Sequence, residues 1–121
     1  MHRQAWIAQQ HGRKAVLYVV KLYGNGEEQP FYKVGITFCL SQRFRTLRFA
    51  GYKWRTVARF SSYNAGRVYD LEQQLHGAGF ENYAPALPFS GSTECYAEAG
   101  PLLAALPTVG TFVLKNTETL I

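Results

Sequence analysis

Two apolar runs, at positions 16–22 and 31–37, constrain the fold more than any other feature of the chain. Both are rich in β-branched and aromatic residues, which suit a pleated, half-buried surface. The stretch between them, YGNGEEQP at 23–30, is turn chemistry: flexible glycines closed by a proline. The pattern predicts an antiparallel hairpin with a loose tip. Side chains alternate across a strand, so Tyr18 shares a face with Val16 and Val20, and Lys33 shares one with Phe31, Gly35 and Thr37. Gly35 is expected to leave that face open to a ligand. Beyond the hairpin, Ser41 is expected to cap a helix to about residue 50, with Phe44 and Leu47 as apolar positions. Arg43 would fall in its first turn, where a cation opposes the helix dipole.

Charge adds a second constraint. The chain carries a net +5, and from Gln29 to Tyr69 there is no acidic residue, whereas Lys33, Arg43, Arg45, Arg48, Lys53, Arg55, Arg59 and Arg67 all lie there. Such a segment is the footprint of a polyanion partner, with phosphate backbones the leading target; a solvated basic surface is the plainer alternative. The basic residues do not follow one long amphipathic helix, so a membrane surface is disfavoured. No apolar run is long enough to span a bilayer and the first residues are polar, which predicts a soluble, cytoplasmic protein. Cys39 and Cys95 lack C-x-x-C spacing and read as free thiols.

At 121 residues the chain is expected to form one domain at 15–121 behind an extension at 1–14, whose Trp6 and Ile7 could dock on it. Residues 53–62 alternate, putting Trp54, Thr56, Ala58 and Phe60 on a buried face and Arg55, Val57 and Arg59 on a basic one. A helix from 64 to about 78 follows, capped by Asn64, with Val68, Leu71 and Leu75 as its apolar stripe and Glu72 and His76 one turn apart beside it. Residues 80–92 read as a loop, 93–96 as a short extended piece, 98–106 as a last helix and 110–114 as a possible edge strand. The expected fold class is α/β (α+β): a small three-stranded, mainly antiparallel sheet flanked by helices.

With these elements placed, the chain resembles the GIY-YIG nuclease superfamily. The two signature triplets match Val16-Leu17-Tyr18 and Lys33-Val34-Gly35, with lysine where the second tyrosine usually stands. That lysine is similar to the branch whose second motif reads K-[VI]-G-[IV]-T, known among phage-encoded and restriction-type members. Arg43 in S-Q-R-F, Glu72 in D-L-E-Q-Q-L-H and Gly91-Ser-Thr-Glu-Cys-Tyr96 match later motifs in the same order. The resemblance covers about residues 15 to 97. It implies a metal-dependent endonuclease leaving 5′ phosphate and 3′ hydroxyl ends on DNA.

The residue types suit that chemistry. Phosphodiester hydrolysis needs an activated water, charge stabilisation at phosphorus and help for the leaving oxygen. Glu72 is the expected ligand for one Mg²⁺ or Mn²⁺ per site, since a hard cation bound by a single carboxylate keeps waters and takes phosphate oxygens. Arg43 offers a planar fork to the phosphate. Tyr18 is the expected general base or water positioner, with Lys33 supplying positive charge beside it. His76 and Tyr32 are possible assistants, and Arg45, Arg48, Lys53, Arg55, Arg59 and Arg67 the expected nucleic-acid contacts. A monomer, or a transient dimer on the substrate, is expected. Plainer roles also exist: Tyr18 and Tyr32 as core, Lys33 and Arg43 as surface, Glu72 as an ion-pair partner and Glu94 as a loop-ordering acceptor. The rival functions are a catalytically inactive nucleic-acid-binding module of the same fold and a phage protein-interaction factor acting on a host system.

Overall fold

The hairpin organises the sheet. In the computed structural model, which describes residues 2–46 and 49–114, β1 (Ala15–Tyr23) and β2 (Phe31–Thr37) pair antiparallel, with Tyr18 opposite Gly35 and Val20 opposite Lys33. On its other side β1 pairs antiparallel with β3 (Lys53–Ser62). Among the described residues the sheet has five strands rather than three, in the order β4-β2-β1-β3-β5. The two additions are β4 (Cys95–Tyr96), beside Tyr32 and Lys33, and β5 (Thr111–Val113), beside the end of β3. Both lie within the segments 93–96 and 110–114 that the sequence marks as extended, and the hydrogen bonds of a neighbouring edge bring them into the sheet.

The alternation expected of β3 breaks in its middle. Val19 pairs with Ala58 but Val20 pairs with Thr56, so Val57 is an extra residue, a β-bulge. Ala58 and Phe60 therefore join Leu17 and Val19 on one face, whereas Trp54 joins Tyr18 and Val20 on the other. Arg55 and Arg59 follow opposite faces for the same reason, and the single basic face expected of β3 does not form.

One face is covered by α3 (Ala65–Gly77), which starts where the Asn64 side chain accepts a hydrogen bond from the Arg67 N–H. Its buried Val68, Leu71 and Leu75 pack with Leu17, Val19, Val34, Ala58 and Phe60. Two short helices complete this layer: α4 (Gly100–Ala104), with Pro101 in its first turn, and α1 (Arg3–Ile7). α1 docks as its apolar residues foretell. Trp6 is buried and stacks on Phe38 at 4.2 Å, Ile7 packs beside it, and Arg3 forms a two-pronged pair with Asp70 of α3.

The other face is covered by α2 (Leu40–Thr46) and by the loops at 49–52 and 80–92. The Arg43 N–H reaches the Cys39 carbonyl, so Ser41 lies inside the first turn instead of capping it. The helix is short enough that Arg43 lies in its last turn, where a cation suits the dipole. Leu47 and Arg48 fall outside the described residues. No helix among the described residues is long and apolar enough to cross a membrane.

Candidate active site

β4 pairs with Tyr32 and Lys33 near the start of β2, and beside the later Gly35–Thr37 stretch a cleft of about 460 Å³ opens at the sheet edge. Lys33, Gly35 and Thr37 of β2, Arg43 of α2, Glu72 of α3 and Glu94 line it. Arg13 and Trp6 close one side, so the N-terminal segment is a wall of the cleft and not an appendage.

Lys33 points into the layer beneath α2 and is only 2% exposed. Its Nζ lies 3.6 Å from Glu94 Oε2 and 5.6 Å from the centre of the Tyr18 ring. The turn at Gly91 allows this arrangement. Its φ of +85° favours glycine, and a Cβ there would come within 2.8 Å of Lys33 Cε. The short 3₁₀ turn Ser92–Glu94 then carries the Glu94 carboxylate to the lysine.

Tyr18 is fully buried and does not line the cleft. The space that Gly35 was expected to leave for a ligand is filled by the Tyr18 phenol, since a Cβ at Gly35 would lie 2.3 Å from the Tyr18 hydroxyl. That hydroxyl accepts a 3.4 Å hydrogen bond from Arg43 Nε, while Phe44 packs edge-on against the ring at 5.4 Å. Arg43 and Gly35 thus separate the phenol from the cleft, and Arg43 itself is exposed.

Glu72 sits beside the buried stripe of α3 and is 8% exposed. Gln73 Nε2 donates to its Oε1 at 3.4 Å, and His76 Nε2 lies 3.8 Å from its Oε2. Among the described residues no three His, Cys, Asp or Glu side chains gather as a metal group. The donor set fits a hard, largely hydrated cation such as Mg²⁺, which needs only one or two protein carboxylates: Glu72 and Glu94 both face the cleft.

The other expected residues are dispersed. Tyr32 is half-buried against the α3-side core. Arg45, Lys53, Arg55, Arg59 and Arg67 do not line the cleft; Arg59 lies over the Phe112 ring and Arg67 over Phe60. Arg48 lies outside the described residues. Among the described residues the cleft's cations are Arg13, Lys33 and Arg43. Sequence reasoning missed Arg13, whose guanidinium sits 5.1 Å from the Phe38 ring centre, and the only hint was the docking of Trp6 seven residues earlier. Both cysteines are free. Cys39, on the cleft, is held below the usual thiol range by the Gln42 N–H and the Ser41 hydroxyl, whereas burial pushes Cys95 up to about 12.

No family model, curated protein or solved structure matches the chain.

Proposed function

We propose that this protein is a metal-dependent endonuclease that hydrolyses DNA phosphodiester bonds in the manner of GIY-YIG enzymes. The observation that supports it best is the convergence of Lys33, Arg43 and Glu72, from three separate elements, on one open cleft at the β2 edge. Cations and a carboxylate facing one cleft are what a phosphodiester with a bound cation requires. Arg13, Lys33 and Arg43 draw the DNA phosphate into the cleft. Arg43 presents its fork to the scissile phosphate and, in turning to it, uncovers the Tyr18 hydroxyl that it covers in the free protein. The Tyr18 hydroxyl gives its own proton to solvent, Lys33 and Arg43 balance the negative charge left on its oxygen, and that oxygen then takes a proton from the attacking water and returns to the neutral phenol. Glu72, with Glu94 also lining the cleft beside Lys33, would hold Mg²⁺ or Mn²⁺, which when bound stabilises charge on the leaving 3′ oxygen. One such site per chain nicks; a double-strand cut takes two chains or two encounters.

The test is incubation of supercoiled plasmid with wild-type protein and with Glu72→Gln, in Mg²⁺ and in EDTA. Wild-type protein is expected to nick only with metal, and Glu72→Gln to lose on the order of 10²–10³ in rate, as when a key electrostatic group is removed from other active sites. Equal cutting by both proteins, or cutting in EDTA, overturns the proposal.

A further inference from the structure

His76 of α3 is poised between two partners from different parts of the chain. Its Nε2 faces the Glu72 carboxylate at 3.8 Å, and its Nδ1 makes a 2.5 Å hydrogen bond with the Tyr96 hydroxyl of β4. The two rings stack at 5.8 Å, inclined by only 14°. Nε2 is buried and has no hydrogen-bond partner, so the atom aimed at Glu72 is kept from water without being satisfied by any closer group.

We propose that Tyr96 is a positioning residue for the Glu72 carboxylate, acting through His76 by setting which imidazole nitrogen carries the proton. The inference rests on the nuclease reading of Glu72. A phenol that donates to Nδ1 leaves the imidazole proton on Nε2, directed at the carboxylate. Tyr96 is suited to be the donor, since its hydroxyl lies directly against Nδ1 with the two rings stacked. Its backbone is fixed as well. Tyr96 pairs with Tyr32 on one side and bridges to Asn82 on the other, and it is only 3% exposed. Groups that orient a ligating carboxylate in this way commonly change metal affinity by about 10- to 100-fold when removed.

The experiment measures Mn²⁺ binding by electron paramagnetic resonance and plasmid nicking for the full chain. The proteins are wild type, Tyr96→Phe, His76→Gln, His76→Ala and the double variant Tyr96→Phe/His76→Gln, each checked by thermal unfolding. Glutamine can offer an N–H to Glu72 without a tautomer to set. Tyr96→Phe and His76→Ala are each expected to weaken Mn²⁺ binding about 10-fold or more, with nicking falling in step. His76→Gln is expected to stay within about threefold of wild type, and Tyr96→Phe to add less than about twofold in that background, the non-additivity of residues acting as one unit. Wild-type binding by Tyr96→Phe, or an equal loss in both backgrounds as a merely structural tyrosine would give, overturns the inference while leaving the nuclease reading intact. Should Tyr96→Phe not fold, the His76 pair decides: retention by Gln with loss by Ala supports the inference, and equal loss overturns it. Wild-type protein that neither binds Mn²⁺ nor nicks overturns the nuclease reading and this inference with it.

Discussion

On one face of the sheet, α3 lays Val68, Leu71 and Leu75 on Leu17, Val19 and Phe60, in a mainly aliphatic layer. The opposite face is roofed by the seven-residue α2 and by loops. There Phe31 stacks on Tyr83 at 4.7 Å and meets Tyr52 edge-on at 5.0 Å, and the hydroxyls of both tyrosines converge on Glu28. Asn25 and the Ala86 N–H complete the ring of donors around that carboxylate, tying the hairpin tip to the 80–92 loop. The first face is held by burial with the Arg3–Asp70 and His76–Tyr96 contacts at its margins, the second by burial plus a carboxylate ringed by four donors. The cleft lies where the two meet. Its carboxylate Glu72 comes from the rigid helical side, and its cations Lys33 and Arg43 and the loop residue Glu94 from the side whose cover depends on polar ties.

Three measurements can break or sharpen this contrast. The largest effect is expected from Leu75→Ala, which empties a fully packed position under α3 and should cost about 2–5 kcal/mol at any pH where the protein folds. Urea unfolding reads it, and a smaller loss than for the network variant below would invert the comparison. Gly35→Ala should come next. A methyl group there meets the Tyr18 hydroxyl and must push the ring or the strand aside, costing about 1–3 kcal/mol. Its displacement of Tyr18 from Arg43 should also reduce nicking more than it reduces DNA binding, so a change in stability without a change in nicking would detach Tyr18 from the site.

The smallest effect, and the one most specific to the looped face, is expected from Glu28→Gln. Burial would raise the Glu28 carboxyl, but donation from Tyr52, Tyr83, Asn25 and Ala86 brings it from an ordinary 4.5 to about 2. A depressed folded value means that the carboxylate stabilises the fold fully above about 4.5 and loses that contribution as pH falls towards 2. Glu28→Gln should therefore lower the melting temperature at neutral pH, by the equivalent of about 1–2 kcal/mol after solvent competition. The gap to wild type should close on acidification. A gap independent of pH would show that the network acts by shape and not by charge.

How much of this was legible in the sequence follows the range of the interactions. The hairpin, β3 and α3 declare themselves through periodicity, and Asn64 caps α3 because a cap is a contact over three residues. What stayed hidden depends on groups far apart in the chain. Gly35 reads as open space until the pairing of Tyr18 with it fills that space. The bulge at Val57 leaves no mark on local composition, because it answers to two cores lying on opposite sides of the sheet. Lys33 reads as a charge beside Tyr18, with a solvated strand position as the plainer alternative, and its burial is legible only once the Gly91 turn is laid over it. The placement of Lys33, Arg43 and Glu72 at one edge is foreshadowed by motif order, as is that of the segment ending at Tyr96, whereas Arg13 reaches the same neighbourhood by tertiary packing.

The Val57 bulge also bears on errors of assembly. A uniform strand that slips by one residue along its neighbour exchanges its two faces as a whole, and a sheet with weakly marked faces tolerates the exchange. In β3 the stretch before Val57 is matched to the aromatic layer and the stretch after it to the aliphatic one. A slip that preserved one match would spoil the other, carrying Arg55 or Arg59 into an apolar layer. The irregularity thus acts as a proofreading mark on strand pairing, and deleting that single residue should yield misregistered, association-prone chains in place of a neatly shortened sheet.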